Sequence, residues 1–327
     1  MDIADRLRLD VPVGQAGMGG GLAGASLAAA VANAGGLGTL GLARPCQLRT
    51  SIYQVRAEAP GRVVAVNLLM PFVRRAHVAV CVDAHVDVVV LAFGERRGLV
   101  EHLHDAGIFV FVMVGTQAQA RAAVAWGADG LIAQGHEAGG HLVGTMPALD
   151  FLPQALAAAG QRPVFLAGGI ATGADTRTAL SAGASGVIAG TRFLMTHEAD
   201  ANREYQRRII NADSTIETNL FGLSWPLRHR VVPNAATRRW CRDDGRASAL
   251  PAAINSVSRP LSVLGYLDTG ALMRLQSPAR PLFTPLAPLN GMPDSWVDRA
   301  ALYAGETALR ISEVTSTEQA VKDLSPR

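Results

Sequence analysis

Ile108-Phe-Val-Phe-Val-Met-Val-Gly-Thr-Gln-Ala-Gln-Ala-Arg-Ala-Ala-Val-Ala-Trp-Gly-Ala-Asp-Gly-Leu-Ile-Ala133 reads as one unit of a repeated plan: an unbroken apolar run, a turn, an Ala-rich stretch and a second apolar run. Neither apolar run alternates with polar residues, which is the pattern of a strand buried on both faces in a parallel sheet covered by helices. The same unit recurs on both sides. Before it come Val11 to Ala16 with Ser26 to Ala34, Leu37 to Leu42, Arg62 to Asn67, and Val86 to Leu91 with Leu99 to Ala106. After it come Pro163 to Ala167 with Ala174 to Ala182, and Gly186 to Ala189. About eight strand-helix units over roughly 200 residues predict an α/β fold, a closed TIM (β/α)8 barrel rather than an open doubly wound sheet.

The pattern changes after Asp200. Proline, arginine and polar residues rise, as in Trp225-Pro-Leu-Arg-His-Arg230 and Arg280-Pro-Leu-Phe-Thr-Pro285. Residues 1–200 are therefore expected to form the barrel, and residues 201–327 a mainly helical region covering its mouth. Helical patches are expected near Leu261 to Leu275 and Trp296 to Ile311, with the last helix packing back on the barrel and the last dozen residues disordered.

Composition narrows the function classes. Hydrophobic residues make up 49% of the 327, and 30 basic residues nearly balance 27 acidic ones, so the net charge is only +3. With no concentrated basic run and few aromatics, nucleic acid is not indicated as a partner. Cys46, Cys81 and Cys241 are scattered without metal-ligand spacing, and read as small hydrophobes in a reducing compartment. The opening Met1-Asp-Ile-Ala-Asp-Arg6 lacks the features of a signal peptide, and the apolar run from Ala76 to Gly94 is broken by Asp83, His85 and Asp87. No membrane partner and a cytoplasmic location are expected. The single lysine, Lys322, lies in the polar C-terminal tail, which argues against Schiff-base chemistry.

Gln134-Gly-His-Glu-Ala-Gly-Gly-His141 has the composition of a binding loop: two imidazoles and a carboxylate among glycines, directly after an apolar run. A zinc-protease reading fails because the two histidines are one residue too far apart and Gly139-Gly140 interrupts any helix; no metal is expected. His136 reads as a bystander. Downstream, Leu166-Ala-Gly-Gly-Ile-Ala-Thr-Gly173 and Ile188-Ala-Gly-Thr-Arg192 end the seventh and eighth strands, where barrels commonly bind phosphate through backbone amides.

The loop Gly17-Met-Gly-Gly-Gly-Leu-Ala-Gly24 contains a formal dinucleotide fingerprint. The acidic residue that a Rossmann site places about 20 positions on is missing, since none stands between Asp10 and Glu58. Ala16, Gly17 and Met18 are instead expected to lie flat against a planar ring. Asn67 and Gln134 add carboxamides at strand ends, able to pair with a heterocycle edge. Phosphate loops, a ring-sized glycine loop and two carboxamides suit a flavin mononucleotide.

At these residues the chain resembles the nitronate monooxygenase family, also called 2-nitropropane dioxygenases, and the related flavin-dependent enoyl-acyl-carrier-protein reductases. The likeness runs through Gln15-Ala-Gly-Met18, Ala34-Gly-Gly-Leu-Gly38, Val66-Asn-Leu68, Gln134 to His141, Ala167-Gly-Gly-Ile170 and Gly190-Thr-Arg-Phe193, and extends more weakly into Thr218 to Arg228. It implies a TIM barrel holding non-covalent FMN, with phosphate at Gly168, Gly169, Gly190 and Thr191, with Gly140 beside the cofactor and with His141 catalytic. It also implies a small-molecule substrate, a nitronate or nitroalkane, together with O2, converted to a carbonyl compound and nitrite. His141, at an ordinary pKa of about 6.5, would take the α-proton of a nitroalkane or balance the charge of a nitronate. Reduction of an enoyl thioester or quinone by NAD(P)H through FMN is the alternative; a non-flavin phosphosugar barrel and a silent binding barrel are weaker rivals. A homodimer is compatible with the chain. Two departures from the family are Gly94-Glu-Arg-Arg97, where relatives commonly have Gly-x-Pro after the fourth strand, and the absence of the lysine that many relatives use near the flavin.

Overall fold

The computed structural model describes residues 3–94, 96, 98–258, 260 and 269–326. Its strands in chain order are β1 (Val13–Gln15), β2 (Thr39–Leu40), β3 (Ala65–Leu69), β4 (Val88–Ala92), β5 (Phe109–Val114), β6 (Gly130–Gln134), β7 (Gly140–His141), β8 (Val164–Ala167), β9 (Gly186–Ala189), β10 (Ile216–Thr218) and β11 (His229–Val231). Eight of them form one parallel sheet in the order β1-β9-β8-β6-β5-β4-β3-β2. The two ends of this sheet meet just before β2, where Leu37 donates to Val13 O at 2.9 Å and accepts from Gln15 N at 2.9 Å. The expected TIM barrel is the fold.

The reason for the unbroken apolar runs is visible in how each strand divides its side chains, since successive residues point to opposite faces. In β4, Val88 and Val90 join the cluster that fills the barrel, while Val89 and Leu91 join the cluster beneath the helices. In β5, Phe109 and Phe111 face in and Val110 and Val112 face out. Phe111 and Phe165 are fully buried with ring centroids 5.3 Å apart; each burial contributes on the order of 2 to 3 kcal/mol. Leu7, with Ile3 and Leu9 beside it, packs into the same inner cluster as Val63 and Val88.

Beyond residue 200 the chain is mixed. Helices Arg203–Ile210, Ala235–Trp240, Ala249–Val257 and Thr269–Leu275 accompany the antiparallel pair β10 and β11. Part of the patch expected from Leu261 to Leu275 lies outside the described residues. The patch from Trp296 to Ile311 is two 3-10 turns, Asp294–Asp298 and Glu306–Arg310, rather than one helix. Between them Tyr303 bridges to Val231, and Val232 N donates to Leu302 O at 2.8 Å, so this stretch pairs as extended chain. The last dozen residues are not disordered: Ser316 caps a helix from Thr317 to Leu324 that fully buries Ala320, Val321 and Leu324. That helix packs on helices Ala25–Asn33 and Gly173–Ser181. An apolar face spaced one and four residues apart was hidden in a polar tally.

Among the described residues, no helix is long and apolar enough to cross a membrane, and no cluster of three or more His, Cys, Asp or Glu could hold a metal ion.

Candidate functional site

The carboxyl ends of the barrel strands open into a cavity of about 1040 Å³. All eleven residues singled out in the sequence line it: Ala16, Gly17, Met18, Asn67, Gln134, Gly140, His141, Gly168, Gly169, Gly190 and Thr191. His136 is not among the lining residues; its backbone carbonyl accepts from Arg230 at 2.9 and 3.0 Å.

Two stretches of backbone shape one part of the wall. Gly168 and Gly169 adopt φ of 113° and 73°, conformations that L side chains rarely take. After β1, Gly17 passes so close to β3 that a Cβ on it would collide with Asn67 Cβ and sit 2.9 Å from Thr39 Cγ2. Asn67 Nδ2 donates to Gly17 O at 2.7 Å, whereas its Oδ1 is buried without a partner. Thr191 Oγ1 accepts from Gly305 N at 2.9 Å, which ties the loop after β9 to the chain beyond residue 300.

Gln134 does something the sequence did not show. Its Nε2 donates to His141 O at 3.1 Å and its Oε1 accepts from Val143 N at 2.9 Å, so the carboxamide sets the path of the His141 loop. β7 then pairs with β11, placing His141 opposite His229. Glu137 turns its carboxylate to Ala148 N at 2.9 and 3.1 Å, at the start of helix Ala148–Ala159, where a negative charge is favourable.

His141 is 8% exposed and sits in an aromatic nest. The Trp225 indole stacks on it with centroids 3.7 Å apart and planes 17° off parallel, and Tyr303 lies 5.5 Å away. Phe72 and Phe93 meet Trp225 edge-on at 5.2 and 4.8 Å. Phe93 at φ 65° and Ser224 at φ 71° hold left-handed backbone beside the nest, a strain of the kind found where a site over-determines its geometry.

This burial corrects the expectation of an ordinary imidazole. Desolvation, with His229 4.9 Å away as a second cause, holds the His141 pKa well below 6.5. The ring is neutral at neutral pH, so it can accept a proton or donate from one nitrogen, but it cannot balance a nitronate's charge. His229 is fixed as a neutral tautomer: its Nδ1 donates to Leu227 O at 2.9 Å and its Nε2 accepts from Phe221 N at 3.3 Å. Burial holds its pKa down to about 4.

The nitronate monooxygenase family model matches residues 3–71 and 58–326, spanning this barrel and its cavity. The chain belongs to that family. Within the nitronate monooxygenase family and around it, the chain is 30% identical over 340 residues to a (3aS,4S,5R,7aS)-5-hydroxy-7a-methyl-1-oxo-octahydro-1H-indene-4-carboxyl-CoA dehydrogenase of Mycobacterium tuberculosis, covering 98% of this chain and 94% of the relative. Among solved structures it is similar to nitroalkane oxidase from Streptomyces ansochromogenes, at a TM-score of 0.79, 27% identity and coverage of 98% and 96%. It is also similar to FabK from Thermotoga maritima, at a TM-score of 0.76, 26% identity and coverage of 98% and 94%. The protein is an oxidoreductase of the nitronate monooxygenase kind.

Several site residues of this nitronate monooxygenase family member escaped the sequence reading. Trp225 and Tyr303 come from far along the chain and follow no motif; the only signal was the faint likeness over Thr218 to Arg228. Arg310 donates to Gly169 O at 3.3 Å and pairs with Asp175 at 2.7 Å, bringing an arginine to the glycine loop. Of the departure at Gly94 to Arg97, Glu95 and Arg97 lie outside the described residues, and Arg96 donates to Val73 O at 3.1 Å.

The buried histidine pair carries a prediction about stability. As pH falls below about 6.5 the unfolded chain gains protons on these imidazoles, while the folded state refuses them until near 4 in the case of His229. Stability is therefore complete above pH 6.5 and is lost as pH falls towards 4. His229 alone should lower the unfolding free energy by about 2 kcal/mol between pH 7 and pH 5. Urea denaturation at the two pH values, repeated on His229→Gln, checks this: the variant should show a smaller drop.

Proposed function

We propose that this protein binds FMN and oxidises alkyl nitronates, and by extension nitroalkanes, with O2 to a carbonyl compound and nitrite. The observation that carries the reading is a neutral, buried His141 sharing one cavity with backbone groups and an Asn67 carboxamide that fit a flavin. The fit rests on the orphaned Asn67 Oδ1, which a ring N–H would satisfy, and on the positive-φ cradle at Gly168 and Gly169, which side chains would fill. Ala16, Gly17 and Met18 would lie along the ring, with Gln134 and Gly140 beside it. Gly168, Gly169, Gly190 and Thr191 would hold the phosphate.

FMN, when bound, supplies the electron acceptor that the side chains of this protein lack. His141 removes the α-proton of a neutral nitroalkane, and being unprotonated throughout the neutral range it is always ready to do so. A preformed nitronate needs no base. The aromatic nest of Trp225, Phe72 and Phe93 keeps water from the reacting carbon and strengthens each polar contact inside.

A second reading is the NAD(P)H-dependent reduction of an enoyl thioester or a quinone through the same cofactor. The cavity of about 1040 Å³, at the upper end of ordinary ligand pockets, favours keeping it, as does the full-length relative whose name specifies a carboxyl-CoA substrate. Aerobic and anaerobic turnover of the FMN-loaded protein with propionate 3-nitronate, nitroethane and NAD(P)H separates the two. The expected result is nitrite release from the nitronate and slow reduction by NAD(P)H. Rapid reduction by NAD(P)H with no nitronate turnover would sink the monooxygenase reading.

A further inference from the structure

Three side chains around the reacting imidazole carry polar atoms that no described residue satisfies. His141 Nε2, Trp225 Nε1 and Tyr303 Oη are all buried and all lack a hydrogen-bond partner. They belong to one nest, with Trp225 3.7 Å and Tyr303 5.5 Å from the His141 ring centroid, and all three residues line the cavity. Native proteins pair nearly all buried polar groups, because an orphan forfeits its hydration without return. Three orphans on neighbouring rings, brought together from three distant stretches of chain, point to a ligand that completes them.

Their chemistry says what kind of ligand. An indole N–H only donates and a buried phenol is neutral and can donate, whereas an imidazole that serves as base must keep one nitrogen free to accept a proton. The segments that carry them are held by other bonds: Ser224 N donates to Ser258 Oγ at 2.7 Å, and Tyr303 O accepts from Tyr205 Oη at 2.5 Å. Neither bond uses the Trp225 Nε1 or Tyr303 Oη atom. Among the described residues lining the cavity, Arg44 is the only arginine or lysine. A pocket of neutral donors favours a single, spread-out negative charge over a compact dianion, whose desolvation it could not offset.

We propose that Trp225 Nε1 and Tyr303 Oη form a neutral oxyanion pocket beside His141, binding a substrate that is, or becomes, a planar delocalised oxyanion such as a nitronate or a thioester enolate. Trp225 and Tyr303 are then substrate-binding residues. Preorganised neutral donors of this sort stabilise charge as it develops without having to reorganise. The inference rests on the proposed function for the place where substrate and cofactor meet.

The test uses the FMN-loaded protein and benzoate, a planar carboxylate, with toluene as a probe that offers no acceptor. Binding is followed by calorimetry and by the perturbation of the flavin absorbance. Trp225→Phe keeps an aromatic ring and loses the N–H; Tyr303→Phe loses only the hydroxyl. Each should weaken benzoate by about tenfold while toluene changes by less than about twofold. Retained flavin and an unchanged far-UV spectrum establish that each variant is folded, and the two sites are independent tests. Unaltered benzoate affinity in both folded variants overturns the proposal, as does absence of benzoate binding by the unsubstituted protein. If nitronate turnover fails while the benzoate pattern holds, the monooxygenase reading falls and the oxyanion pocket stands; with normal turnover and unchanged benzoate binding, the pocket falls and the monooxygenase reading stands.

Discussion

His141→Ala should lower kcat/KM for neutral nitroethane by about 10² to 10⁴ fold, the range expected when a positioned general base is removed. The same variant should lose far less with ethyl nitronate, from which the proton is already gone. FMN should remain bound, because most of the groups proposed for the cofactor lie on loops other than that of His141: Gly17, Asn67, Gly168, Gly169, Gly190 and Thr191. The two substrates are compared in parallel by oxygen uptake, with flavin content read from the absorbance of the purified variant. An equal loss on both substrates would show that His141 orients the anion and is not the base. In the unsubstituted protein the acid limb of the nitroethane profile should fall well below pH 6.5, since burial and His229 disfavour the imidazolium. A limb centred near 6.5 would mean that the site is wetter than the packing around Trp225 implies.

The second large effect is expected from Gly17→Ala. A single methyl group at this position collides with Asn67 Cβ and presses on Thr39 Cγ2. Both neighbours belong to barrel strands and are buried, so neither can swing away as a surface side chain would. Separating the loop after β1 from β3 would also break the 2.7 Å bond from Asn67 Nδ2 to Gly17 O. Overpacking of this kind costs about 1 to 3 kcal/mol, with the lost hydrogen bond adding about 1 more. Because Asn67 and Gly17 both line the cavity, flavin retention should fall together with stability. Thermal melting with and without added FMN checks the pair of effects. A variant that melts normally and retains its flavin would show that the loop is not held against the ring by this contact.

Much of the fold is legible in the order of the amino acids. Apolar runs from Val11 to Ala189 mark the barrel strands to within a few residues, because a strand covered on both faces can tolerate little polarity at any position. The two glycine-bearing strand ends near Gly168 and Gly190 are legible for a similar reason, since backbone that approaches a ligand or turns through positive φ leaves few residue choices. The chain beyond residue 200 is less transparent. Trp296 to Ile311 looks helical by composition, yet Tyr303 is drawn into pairing with Val231, a partner 72 positions away in the chain. The tail helix from Thr317 to Leu324 escapes notice because its three large or packed apolar residues are outnumbered by polar ones.

Gln134 shows how a correct residue can be placed with only part of its work known. Its position at the end of β6 follows from the sequence, but its bonds to His141 O and Val143 N exist only because the loop folds back over it. Sequence alone determined the barrel, the glycine loops and the presence of an imidazole at the mouth, since these depend on local patterning and backbone freedom. Tertiary structure decided the state of that imidazole. His229, Trp225 and Tyr303 reach His141 from residues 88, 84 and 162 positions further along the chain, and it is their packing that removes water, lowers the pKa and leaves His141 Nε2, Trp225 Nε1 and Tyr303 Oη buried without a partner. Desolvation is a property of the assembled surroundings, and no stretch of neighbouring residues encodes it.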